Sequence, residues 1–208
     1  LDYTLEDKVQ FMVYNKQSDF KQSNAGLVTS SSYNLGGVTR VIGSKILLYY
    51  EGDNEKFERQ IKSGLSQIIM SQMMYGGNWK EMLRSSAFLN IPDWFSKGLS
   101  SYLSYSWDVD IDNSVKDGIL SGRYHKLTRL TGNDALIAGH SMWNYITETY
   151  GKSVISNILY MTRVSRNIES GFLFVLGTSL RTLITDWEQY YQNKYYKHDN
   201  IRFLPEEQ

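Results

Sequence analysis

Hydrophobic and polar positions along the first fifty residues repeat with a period close to two. Val9, Phe11 and Val13 alternate with Gln10, Met12 and Tyr14, which predicts a strand over 8–14. Asp19 and Phe20 lie in a polar stretch that reads as a short helix, and the Ser/Thr-rich residues 28–33 read as a loop. Gly36-Gly37 precedes a second strand over 38–42. Gly43-Ser44 is a turn signal before a third strand over 45–50. Glu51-Gly52-Asp53-Asn54 closes the β part and offers a helix N-cap.

From Asn54 onward the period becomes helical. Phe57, Ile61, Leu65, Ile68, Ile69 and Met73 recur at helix spacing and predict an amphipathic helix over 55–74, ended by Gly76-Gly77. Pro92 is placed to start a helix over 93–105. Further helices are predicted over 113–130, stopped near Gly132, over 133–150, ended by Gly151, and over 152–163. A last helical pattern covers 168–196 with a break near Gly177. The tail from Lys197 is polar and reads as loose. The order predicts an α+β fold by segregation: a small N-terminal β-sheet at about 8–50, then a helical bundle at about 54–196. With no internal repeat or linker, residues 1–208 read as a single domain.

Composition narrows the picture only in places. The 208 residues suffice for one sizeable core, and 41% are hydrophobic, as in a folded globular chain. Formal net charge is zero, with no Lys/Arg run, so nucleic acid is not an implied partner. The absence of cysteine excludes disulfides, thiolate metal sites and a cysteine nucleophile. No apolar stretch is long enough for a transmembrane segment, and no signal peptide is recognisable. Because the chain begins at Leu1 rather than Met, it reads as a piece of a larger protein.

Candidate chemistry is sparse. His125, His140 and His198 form no local metal-binding pair. Asp108, Asp110 and Asp112 alternate along the chain, but an EF-hand loop would need Gly and Glu where Asn113 and Ile119 stand. The plainer reading makes Asp112 or Asn113 the N-cap of the following helix. There is no Gly-x-Ser-x-Gly elbow, P-loop or dinucleotide fingerprint. Trp94, Trp107 and Trp143 are candidates to line a cleft, or else core residues.

Two stretches carry more information. Residues 61–69 read Ile-Lys-Ser-Gly-Leu-Ser-Gln-Ile-Ile, and residues 91–102 read Ile-Pro-Asp-Trp-Phe-Ser-Lys-Gly-Leu-Ser-Ser-Tyr. They resemble the active-site stretches of peptidase-MA-like domains, the gluzincin zinc metallopeptidases. There the first would hold His-Glu-x-x-His and the second Pro-x-Trp-x-x-Glu-Gly-x-x-x-Tyr. Gly36-Gly37-Val38-Thr39 with Ile46-Leu47-Leu48 is similar to the family's preceding sheet. The run from Ala138 to Ile146, with Tyr150-Gly151, is similar to its helix after the active site. Leu176-Gly177-Thr178-Ser179-Leu180 and Asp186-Trp187 resemble its closing signature, so the likeness spans roughly 9–191.

Placed on that frame, Ser63 stands for the first His ligand, Gly64 for the Glu base, Gln67 for the second His and Lys97 for the third-ligand Glu. An ammonium has no lone pair to give and repels a divalent ion, so the resemblance implies a zinc site that has been lost. The expectation is a pseudopeptidase with no metal and no cofactor, acting as a protein- or peptide-binding or scaffold module. Its neighbours would be further domains of an exported, extracytoplasmic bacterial protein. Lys97 would fill the vacated metal position, its charge balanced by Ser63, Gln67 or a nearby carboxylate. Trp94, Tyr102, His140 and Trp143 are the binding-groove candidates. The alternative is a hydrolase with a non-standard site around His140 and the Asp108–Asp112 carboxylates, and a third reading is a spacer with no ligand.

Overall fold

A computed structural model describes residues 3–5, 8–23, 33–34, 37–38, 40–76 and 90–202. The molecule is mostly helical, with a three-stranded sheet at its N-terminal end. The sheet comprises β1 (Gln10–Tyr14), β4 (Arg40–Ile42) and β5 (Lys45–Tyr49) in the order β1-β5-β4. A separate two-stranded ladder joins β2 (Tyr33–Asn34) and β3 (Gly37–Val38). Of the loop predicted over 28–33, residues 28–32 lie outside the described residues and Tyr33 belongs to β2; Gly36, Thr39 and Gly77 also lie outside.

β5 is the central strand. It pairs parallel with β1, Gln10 opposite Lys45 through Tyr14 opposite Tyr49, and antiparallel with β4 across the Gly43-Ser44 turn. Being central, it contributes Ile46, Leu47 and Leu48 as buried residues. β1 takes an edge. Its alternation predicts one buried face, yet Phe11, Met12 and Val13 are exposed on both sides, at 44%, 45% and 51%. The parallel pairing requires a crossover, and α1 (Gln17–Gln22) begins it, burying Phe20 between Tyr14 and Tyr49.

α2 (Asn54–Tyr75) starts where Asp53 accepts a hydrogen bond from the Lys56 amide at 3.0 Å, and ends at Gly76, whose φ is 88°. Phe57, Ile61, Leu65 and Ile68 pack on Ile46 and Leu48 of the sheet. Its other buried positions are the polar or small Gln60, Ser63, Gly64, Ser66 and Gln72, with Met73 and Met74 at its end reaching the larger helical core. The helix is therefore sandwiched, with an apolar stripe against the sheet and a hydroxyl-rich stripe against α3 (Asp93–Ser104).

α3 packs most closely on α5 (Gly132–Tyr150), and glycine makes that possible. A Cβ on Gly98 would overlap the backbone of Gly139, and a Cβ on Gly139 would overlap the Trp94 carbonyl oxygen. The two backbones touch at this crossing. Around it lie Trp94, Phe95, Trp143 and Phe172, all 0% exposed, with Trp94 stacked on Phe172 and Phe95 edge-on to Trp143.

Two predicted boundaries are corrected. The helix expected over 113–130 is α4 (Val109–Leu120) followed by a 3-10 turn at Leu127–Arg129. It starts early because Asp108, not Asp112 or Asn113, caps it, accepting from the Ile111 amide at 2.8 Å. It stops early at Ser121-Gly122, where Gly122 has a φ of 74°. The chain then returns so that the Tyr124 ring covers Gly118, where a Cβ would collide with it.

The remaining helices are α6 (Val154–Ser165), α7 (Ile168–Leu176) and α8 (Leu180–Arg202). Gly177 breaks the last pattern as expected, with a left-handed φ of 70°. α8 runs to Arg202, six residues past the predicted end of the helix at 196. Once a helix is nucleated, each further residue adds one backbone bond, and polar residues suffice to extend it. Residues 203–208 lie outside the described set.

Candidate functional site

Ser63 and Gln67 lie at the α2–α3 seam. They are one turn apart on α2, which puts their side chains on one face. Gln67 Nε2 donates to Ser63 Oγ at 3.2 Å. Ser63 Oγ lies 3.4 Å and Ser66 Oγ 3.0 Å from Ser100 Oγ of α3. Ser66 also donates to the Ser63 carbonyl at 2.9 Å. Gly64 is buried beside them. These small hydroxyls hold each other, so the buried oxygens on this face are satisfied within the seam.

Lys97 sits in the first half of α3, and its Nζ lies 2.6 Å from Asp93 Oδ2, one turn earlier. Both side chains are about one-third exposed, at 31% and 35%. The expected countercharge is therefore a carboxylate on Lys97's own helix. Asp93 occupies the variable position between Pro92 and Trp94, so the sequence frame alone gave it no role.

The groove candidates separate into two groups. Trp94 and Trp143 are core residues with no exposed surface, which corrects their assignment to a groove wall. Trp143 Nε1 donates to the Phe95 carbonyl at 3.0 Å, tying α5 to α3. Among the described residues, Trp94 Nε1 is buried with no hydrogen-bond partner. Tyr102 is partly buried, its hydroxyl 2.8 Å from Thr147 Oγ1.

His140 follows Gly139 on α5 and is 1% exposed. Its Nδ1 lies 2.9 Å from Ser101 Oγ of α3, and Tyr102 and Trp107 pack edge-on to the ring. Burial pulls its pKa down to about 4, against a smaller upward pull from the charge of Asp108. It is neutral at pH 7. The Ser101–His140 pair joins residues 39 positions apart, and no local motif announces it.

The acidic run divides its labour. Asp108 caps α4, while Asp112 reaches α8, accepting from Trp107 Nε1 at 3.1 Å, Lys194 Nζ at 2.9 Å and Tyr195 Oη at 3.1 Å. Burial would raise the Asp112 pKa, but the bonds and charge of Lys194, with those of Tyr195 and Trp107, hold it below the ordinary carboxylate value. Trp107 stacks on Tyr191 at 5.7 Å. His125 is exposed, with Nδ1 3.2 Å from Glu188, and His198 lies on α8. Among the described residues, no three His, Asp or Glu side chains are grouped to hold a metal ion.

Fold and site together define a mostly helical domain on a small N-terminal sheet, with a hydroxyl-lined helix seam and an ion pair beside it. No family model, curated protein or solved structure matches the chain.

Proposed function

We propose that the chain is a catalytically inactive, zincin-like domain of the gluzincin kind that serves as a protein- or peptide-binding module in a larger exported protein. The observation that supports this most is the convergence of Ser63, Gln67 and Ser100 across the α2–α3 seam, with Lys97 paired to Asp93 on the same α3 helix. That is where a zinc site on this frame would draw its ligands. Seryl hydroxyls, a carboxamide and an ammonium supply neither the imidazoles nor the carboxylate that hold and use zinc. With Trp94 and Trp143 in the core, the binding surface is the seam's rim at Gln67, Asp93 and Lys97 together with the edge strand β1. β1's apolar side chains and its place at the edge suit the addition of an extended peptide.

The test is to rebuild the lost chemistry. The combined variant Ser63→His, Gly64→Glu, Gln67→His, Lys97→Glu is expected to bind one zinc per chain by elemental analysis, while the natural sequence binds none stoichiometrically. A folded variant that takes up no zinc would remove the basis of the reading.

A second reading, a hydrolase centred on His140 and the Asp108–Asp112 carboxylates, draws on the Ser101–His140 contact. Burial works against it, since Ser101 and His140 are 5% and 1% exposed and the imidazole is a weak base. Chelator-insensitive peptide hydrolysis abolished by His140→Ala would favour it over the inactive domain.

A further inference from the structure

The α6–α7 hairpin combines an excess of cations with exposed bulky apolar side chains. On α2, just after α4 and on α8, many cations sit beside carboxylates. Lys56, Arg59 and Lys62 pair with Asp53, Glu55 and Glu58 along α2, Arg123 with Asp117 and Asp134, and Lys194 with Asp112. Between residues 152 and 182 the sequence holds Lys152, Arg163, Arg166 and Arg181 against one acid, Glu169, in a chain of zero net charge. All four cations are exposed, and among the described residues none forms an ion pair.

The same two helices expose bulky apolar side chains: Tyr160 at 60%, Val164 at 59%, Leu173 at 51% and Phe174 at 68%. Neither helix needs them for its own packing. Ile155, Ile158, Leu159 and Thr162 of α6, and Ile168, Gly171 and Phe172 of α7, already make the buried face. Arg166, at the hairpin turn, holds a left-handed φ of 52°, the single non-glycine residue with positive φ among those described. Glycine would adopt that conformation without the steric cost.

We propose that this hairpin docks on an anionic lipid surface. Unpaired arginines beside exposed Tyr, Leu, Val and Phe are the composition of an interfacial helix. The apolar groups enter the headgroup–acyl boundary and the cations meet lipid phosphates. The contact lies on the bilayer rather than across it, because no helix among the described residues is long and apolar enough to span one.

Co-sedimentation of the full chain with vesicles tests this, using phosphatidylcholine alone or mixed with phosphatidylglycerol. Partition onto the mixed vesicles is expected, weakened by high salt, with little onto phosphatidylcholine alone. The double variants Arg163→Glu/Arg166→Glu and Leu173→Ser/Phe174→Ser are each expected to lower partition by about tenfold or more. Their far-UV circular dichroism should be unchanged, since all four side chains are exposed. No partition onto mixed vesicles, equal partition onto both vesicle types, or partition indifferent to both variants would overturn the proposal. So would light scattering that shows a dimer dissolved by Leu173→Ser/Phe174→Ser, because the face would then belong to a second copy of the chain.

Discussion

His140 concentrates the physics of this molecule in one side chain. It is buried, neutral and bonded to Ser101, with its pKa lowered from 6.5 to about 4. A folded-state pKa below the unfolded value means that the unfolded chain binds the extra proton first. Stability conferred by the neutral ring is complete above about pH 6.5 and is lost as pH falls toward 4. The full loss is of order 3 kcal/mol. Urea denaturation between pH 7 and 5 should show falling stability across that window, before most carboxylates titrate. His140→Asn should flatten the slope there while lowering stability at pH 7. A slope unchanged by the substitution would assign the acid sensitivity to other groups. Nothing in the local sequence distinguishes His140 from a surface histidine. Its position one residue after a glycine at a helix crossing is what buries it.

At the scale of elements, the α3–α5 crossing sets the geometry of the site. Gly98 and Gly139 let the backbones touch, and Ser101 and His140 are carried into contact beside them. Gly139→Ala places a methyl group against the Trp94 carbonyl, and neither backbone can yield without moving the buried aromatic cluster. A loss of about 3 kcal/mol or more is expected, read as a fall in the urea midpoint, with Gly98→Ala similar. By contrast, Ala at exposed Asn113 should change stability by less than about 0.5 kcal/mol. The sequence marked both glycines only as parts of family-like stretches. Their requirement comes from interhelix distance, which no single helix encodes. Where the sequence misplaced α4, the cap chemistry was legible and was assigned to the wrong aspartate. Asp108, Asp112 and Asn113 are all competent caps, and which one acts depends on what the others are needed for.

At the scale of the whole molecule, two cores are joined through α2. One lies between the sheet and α2, and the larger one is built from the helices after it. α8 closes the larger core with Leu183, Trp187, Tyr191 and Tyr195, and Asp112 is its polar anchor to α4. Asp112→Ala leaves the Tyr195 hydroxyl and the Trp107 indole without that acceptor, for an expected loss of about 1–3 kcal/mol. Lys194→Met removes a partly exposed ion pair and the ammonium's contacts with the Trp107, Tyr191 and Tyr195 rings, and should cost about 1 kcal/mol. Thermal unfolding of the two variants separates the contributions. If both variants lose equally, the ion pair rather than the hydrogen-bonded network carries the anchor.

The sequence by itself determined the order of elements, the helix-ending glycines at 76, 151 and 177, and the apolar stripe of α2, because these depend on periodicity and local backbone preference. It also determined that positions 63, 67 and 97 offer a hydroxyl, a carboxamide and an ammonium rather than an imidazole or a carboxylate. Tertiary structure alone decided that Trp94 and Trp143 are core, that Lys97 pairs with Asp93, and that Ser101 meets His140. Burial and pairing depend on which faces touch, and that follows from the close crossing of α3 and α5 and the sandwiching of α2.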